Sequence, residues 1–189
     1  CEDKKKNDSC GACSNCKKNQ LLIHPDVHFI FPVTSSKPNQ KPISADYIDS
    51  WKKEVLKGPN FDLDRWENIV SKGKKSLIIY SQEIYEIEKK INLKSYQGEY
   101  KVFLIWYAEK LNIEASNKLL KNLEEPPDKT LFILISEKKD LLIKTILSRS
   151  IILQFNPLKN IKKRRLDEKN EKFLNWFVEW VRLCFQANK

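Results

Sequence analysis

At 189 residues and 41% hydrophobic content, the chain carries enough apolar material for one packed domain or one and a half. Its formal net charge of +10 invites a nucleic-acid reading, yet all but five of the 35 basic residues are lysines, scattered along the whole chain rather than gathered into a stripe with interleaved aromatics. Weak attraction to phosphate fits that distribution and sequence-specific reading of bases does not; nor does any apolar run approach the roughly 18 residues of a membrane-spanning helix.

The first element is a cysteine cluster, CEDKKKNDSCGACSNC, with Cys1, Cys10, Cys13 and Cys16 spaced C-x8-C-x2-C-x2-C. Four thiolates within sixteen residues suit a tetrahedral zinc ion, and Gly11 supplies a permissive backbone where the chain must turn around it. Two disulfides or free thiols are the competing readings. Cys10 and Cys13 lie too close for comfortable mutual pairing. No signal peptide precedes them, so a reducing, cytoplasmic setting is expected. Four cysteines close the coordination shell, which makes the expected zinc structural rather than catalytic. Cys184 lies far away in an aromatic-rich segment and reads as a small buried residue. The chain has no methionine, so residue 1 is not expected to be the natural start.

Beyond the cysteines, HPDVHFIFPV (24–33) alternates Val27, Phe29 and Phe31 as a short strand does. Residues 34–46 read as an exposed loop. DYIDSWKKEVLK (46–57) has helical spacing through Tyr47, Ile48, Trp51 and Val55, with Asp46 as its N-cap and Gly58-Pro59 as its stop. A short apolar run at Leu77–Tyr80 precedes a helix after Ser81. KVFLIWY (101–107) and TLFILIS (130–136) are nearly continuously apolar, as strands covered on both faces are. Between them Ala115, Leu119, Leu120 and Leu123 form the stripe of a helix ended by Pro126-Pro127. SIILQF (150–155) predicts a fourth strand. FLNWFVEWVRLCF places Phe173, Trp176, Phe177, Trp180, Val181 and Phe185 on one helical face, which must pack against other helices or a partner.

The run ASNKLLKNLEEPPDKTLFILISEKKDLLIKTILSRS (115–150) resembles the clamp-loader branch of the AAA+ ATPases. The cysteine knuckle and HPDVHFIFPV are similar to the zinc module of bacterial DNA polymerase III clamp-loader subunits, both gamma/tau and delta-prime. FDLDRWE (61–67) and LKSYQGEYKVFLIWYAEKLN (93–112) look more specifically like the delta-prime branch of Bacteroidetes-type bacteria. The resemblance covers roughly residues 1–157. It implies an α/β fold: an AAA+ P-loop-type parallel sheet flanked by helices, with the zinc module inserted at 1–20, a linker or truncated lid at 158–170 and a C-terminal collar-type helix at 171–189. The family's strand order is 5-1-4-3-2. Residues 27–31, 102–106, 131–135 and 151–155 correspond to strands 2, 3, 4 and 5, so strand 1 and the Walker A loop are missing, and a fragment of a longer protein is expected that folds poorly alone.

The same resemblance separates motor from non-motor subunits. A working AAA+ ATPase ends its Walker B strand on two acidic residues; here L-I-W-Y-A-E-K-L puts Trp106 and Tyr107 in those places, and no G-x-x-x-x-G-K-[ST] occurs. An indole and a phenol cannot coordinate magnesium, so no bound nucleotide and no ATP hydrolysis are expected, and Glu109 is expected to point elsewhere. The resemblance assigns Arg149, in S-R-S, the role of an arginine finger reaching the gamma-phosphate on an adjacent gamma/tau subunit. Ser150 departs from the family's cysteine there. Ser136 aligns with the sensor position, while Asn117, Lys118, Glu124 and Glu125 are matched positions read as helix and interface residues. His24 and His28 have no acid or nucleophile arranged around them. The implied function is a non-catalytic subunit that helps load the sliding clamp onto primed DNA, with gamma/tau and delta subunits as partners. Two alternatives stand beside it: a truncated gamma/tau-type ATPase, and a free-standing zinc protein that binds nucleic acid.

Overall fold

The computed structural model describes Cys1 and residues 9–35, 41–58, 61–71 and 76–154. At its centre lies a three-stranded, all-parallel sheet in the order β1-β2-β3, formed by Val27–Ile30, Lys101–Trp106 and Thr130–Ile135. β1 runs in register with β2 (Val27 opposite Val102, Ile30 opposite Ile105), and β2 with β3 (Lys101 opposite Thr130, Trp106 opposite Ile135). Parallel pairing needs long crossovers, and helices supply them. Helix α1 (Ser14–Gln20) precedes β1; α2 (Ile48–Val55), α3 (Leu63–Ser71) and α4 (Ser81–Ile91) lie between β1 and β2. Helix α5 (Ile113–Glu124) joins β2 to β3, and the short α6 (Lys144–Leu147) follows. The order agrees with the 4-3-2 half of the expected sheet.

One core packs Ile84, Ile87 and Ile91 of α4 and Ala115 and Leu119 of α5 against Phe103 and Ile105. A second is aromatic, with Phe31, Trp51 and Trp66 buried together and Phe61 and Trp106 packed against them. Phe31 stacks on Trp51 at 4.8 Å, Trp66 meets Phe31 edge-on at 5.4 Å, and the Trp66 indole donates to the Pro32 carbonyl at 2.8 Å.

Three expectations need correction. β2 is buried along five of its six residues, but in β3 only Ile133 is fully buried, so β3 is an edge strand rather than one covered on both faces. Residues 151–154 form no strand: Ile151, Ile152 and Leu153 are exposed, and no described strand lies beside them or along the outer edge of β3. Asp46 does not cap α2. It sits in a 3-10 turn over Ser44–Tyr47, where its carboxylate accepts from the Ile43 N–H at 3.0 Å, and α2 ends at Val55, before Gly58. Phe155, Pro59, the expected linker at 158–170 and the collar-type helix at 171–189 lie outside the described residues.

Candidate functional site

Three places carry the residues singled out above. The first is the cysteine knuckle. Gly11 adopts φ 70°, and Cys13 caps α1, its sulfur accepting from the Cys16 N–H at 3.5 Å. The Cys10 sulfur accepts from the Cys13 N–H at 3.3 Å, and the Cys1 sulfur from the Cys10 N–H at 3.3 Å. The four sulfurs lie within 4.8 Å of one another, with Cys10 and Cys16 Sγ 3.9 Å apart and none of the four in a disulfide. Tetrahedral bonds of ~2.3 Å put sulfurs about 3.8 Å apart, so this donor set fits a zinc ion. Burial, then the neighbouring Cys13 thiol and more weakly that of Cys10, pushes the Cys16 thiol up against the opposing Gly11 N–H. A divalent cation acts in the opposite sense and favours the thiolate.

The knuckle is fastened to the sheet by residues whose role was not legible in the sequence. Lys18 donates to the Gln97 side chain at 2.6 Å, joining α1 to the loop before β2. Asp26, just before β1, is 3% exposed, and its carboxylate accepts three backbone N–H groups of that loop: Tyr96 at 2.6 Å, Gln97 at 2.7 Å and Gly98 at 2.5 Å. A Cβ at position 98 would stand 3.2 Å from Asp26 Oδ2 and 3.2 Å from the Tyr100 carbonyl, which accounts for the glycine. His24 accepts from the Asp26 N–H through Nδ1, and burial holds its imidazole below the ordinary value. The H-P-D triplet is therefore a clip between the start of β1 and the loop before β2.

The second place is the C-terminal end of β2. Trp106 lies parallel to Phe61 at 5.0 Å and edge-on to Trp51 at 6.0 Å, inside the aromatic core. Tyr107 is left-handed at φ 54°, which turns the chain sharply, and its hydroxyl donates to the Glu137 carboxylate. Burial and that carboxylate push the phenol above its usual range, so it stays neutral. Glu109 does turn away from the strand axis, but toward the end of β3, where Oε1 accepts from the Glu137 N–H at 3.1 Å. Its Oε2 and the Ser136 hydroxyl are both enclosed without a hydrogen-bond partner in the described residues. The two aromatic side chains at this end of β2 offer no carboxylate oxygen, and the nearby Glu109 and Glu137 carboxylates accept from the Glu137 N–H and the Tyr107 hydroxyl.

The third place is the end of α6. Arg149 Nη2 pairs with Glu124 Oε1 at 2.7 Å, and Nη1 donates to the Thr145 carbonyl at 3.2 Å and to the Ser148 hydroxyl at 3.4 Å. Glu124, the last residue of α5, thus proves to be the partner of Arg149. Lys118 spends its charge on Glu114 at 2.8 Å and on the Tyr85 ring at 3.9 Å. Asn117, within α5, and Glu125, at its C-cap, are exposed. His28 lies against the Phe103 ring at 4.9 Å, and burial pushes it down to about 4.

A family model described as "DNA polymerase III, delta subunit" matches residues 1–159. The DNA polymerase III subunit delta' of Bacillus subtilis is 28% identical over 149 residues, covering 79% of this chain and 32% of that protein. The delta' subunit of Escherichia coli K12 is 27% identical over 149 residues, covering 79% of this chain and 33% of that protein. The tau subunit of Bacillus subtilis is 40% identical over a shorter stretch of 67 residues, 35% of this chain and 12% of that protein. The chain spans about a third of the length of the delta' relatives it matches.

Proposed function

The chain belongs to the DNA polymerase III delta subunit family, and from that premise we propose that it acts as a delta-prime-type, non-catalytic clamp-loader subunit. In this reading it supports ATP-dependent loading of the sliding clamp onto primed DNA beside gamma/tau and delta subunits, and hydrolyses no ATP itself. The observation that carries the non-catalytic assignment is the end of β2. Trp106 is committed to the aromatic core and the Tyr107 hydroxyl to Glu137, where a motor subunit needs two free carboxylates. The tau match over 67 residues favours a second reading, a gamma/tau-type ATPase, and the same two aromatic residues stand against it.

Arg149 is the residue that supports a chemical contribution in trans. It is 36% exposed, fixed just past α6, and carries a planar guanidinium cation. Set against a neighbouring subunit's gamma-phosphate, that charge would stabilise the negative charge on the transferred phosphoryl oxygens. Cys1, Cys10, Cys13 and Cys16 would hold a structural zinc, which when bound crosslinks the knuckle in place of a larger core.

The test is reconstitution of the full-length subunit with gamma/tau and delta, followed by DNA- and clamp-stimulated ATP turnover for wild type and Arg149→Ala. An arginine finger supplies on the order of 10³-fold or more at its own site, diluted in the whole complex by the other sites, so a clear loss is expected. Unchanged turnover in an intact complex would reduce Arg149 to a structural arginine.

A further inference from the structure

Among the described residues, the Arg149 guanidinium is held by one carboxylate, one carbonyl and one hydroxyl. Glu124 Oε1 takes Nη2 at 2.7 Å, and the Thr145 carbonyl and Ser148 hydroxyl take Nη1. The acceptors come from the last residue of α5 and from α6 with its C-cap residue. Glu124 adds a full negative charge. It is also half-exposed, at 46%, like the arginine at 36%, so the pair sits where an incoming anion can reach it. A buried pair would resist exchange because parting it strands a charge; an exposed pair parts at little cost.

We propose that Glu124 is a positioning residue that latches Arg149 onto its own subunit, and that engagement of a neighbouring subunit's bound ATP exchanges the carboxylate for phosphate oxygens. The inference rests on Arg149 acting in trans as proposed above, and it adds a regulation of that site. While the carboxylate sits 2.7 Å from the guanidinium, much of the positive charge needed at the phosphoryl group is cancelled. The latch must therefore open for the finger to work, and the cost of opening is set by an exposed ion pair: about two- to fivefold in turnover. In the latched state the long arginine side chain stays ordered beside α5. Contact with a nucleotide-loaded neighbour releases it.

Glu124→Gln keeps the length of the side chain and one acceptor oxygen but removes its charge, at a half-exposed helix end where packing is not disturbed. In the full-length subunit reconstituted with gamma/tau and delta, ATP turnover is measured at low and high salt for wild type, Arg149→Ala, Glu124→Gln, Glu124→Asp and the double variant. Glu124→Gln is expected to raise the Arg149-dependent part of kcat about two- to fivefold at low salt, with the KM for ATP unchanged. High salt screens the pair and removes the difference. Glu124→Asp returns turnover toward wild type, and Arg149→Ala/Glu124→Gln matches Arg149→Ala alone. A purely structural glutamate would give neither the salt dependence nor the need for Arg149. If Arg149→Ala lowers turnover while Glu124→Gln lowers it or leaves it unchanged at low salt, the latch is refuted and the finger stands. If Arg149→Ala has no effect, the finger and the latch fall together.

Discussion

Replacing Asp26 by asparagine tests whether the H-P-D triplet is the clip its contacts describe. The carboxylate accepts three consecutive N–H groups, one on Oδ1 and two on Oδ2, from a loop about 70 residues further along. A hydrogen bond to a charged group contributes about 1.5–3 kcal/mol, and a group left unsatisfied costs about 1–3 kcal/mol. An asparagine oxygen can still take Gln97 and Gly98 without the charge, but its NH₂ then faces the Tyr96 N–H, so a local loss of about 2–3 kcal/mol is expected. That predicts amide exchange about 30- to 150-fold faster at Tyr96, Gln97 and Gly98, read by hydrogen-exchange NMR on the full-length subunit, with β2 beyond Val102 little changed. The pH dependence has a definite sign. Burial acts to raise the Asp26 carboxyl, but the N–H groups of Tyr96, Gly98 and Gln97, with His24, outweigh it and hold the group below its ordinary 3.8. The unfolded chain therefore binds the proton more readily. The clip contributes fully above pH ~3.8 and is lost as pH falls from there through the lower folded value. Protection at residues 96–98 within threefold of wild type in the asparagine variant, or a loss spread evenly over the sheet, would refute the clip.

Other outcomes follow from the same contacts. His28 should remain neutral by NMR titration down to about pH 4, and because its unfolded value is 6.5, stability should decline as pH falls between 6.5 and about 4. Trp66→Ala empties a fully buried site and strands the Pro32 carbonyl, so about 3–5 kcal/mol should be lost in urea unfolding of the full-length subunit. Metal analysis should find about one zinc per chain, abolished by Cys13→Ser, and chelation should speed amide exchange in α1 while sparing the core between α4 and β2. The isolated 189-residue chain, in which no described strand pairs the outer edge of β3 and Ile151, Ile152 and Leu153 are exposed, should self-associate in light scattering, and Ile151→Lys with Leu153→Lys should reduce it. Monomeric behaviour of the unsubstituted chain would contradict that account of the edge.

Local pattern was enough to place most of the elements. The continuous apolar runs at 101–107 and 130–136 became adjacent parallel strands, the Ala115/Leu119 stripe became the buried face of α5, and the cysteine spacing brought four sulfurs within reach of one ion. Each of these depends on neighbours a few residues away, where side-chain period and backbone reach decide the outcome. SIILQF shows where that logic stops. It carries as good a strand pattern as any, yet residues 151–154 are exposed and pair with no strand among the described residues, because a strand exists only when another backbone offers its N–H and C=O groups. The same reason governs the site residues. The sequence by itself ended the apolar run of β2 on Trp106 and Tyr107 and set Arg149 in S-R-S. Only the tertiary structure decided that the indole would stack on Phe61, that the phenol would meet Glu137, and that the arginine would lie on Glu124. Those partners come from separate elements, and no periodicity along the chain encodes which side chains meet once the elements pack.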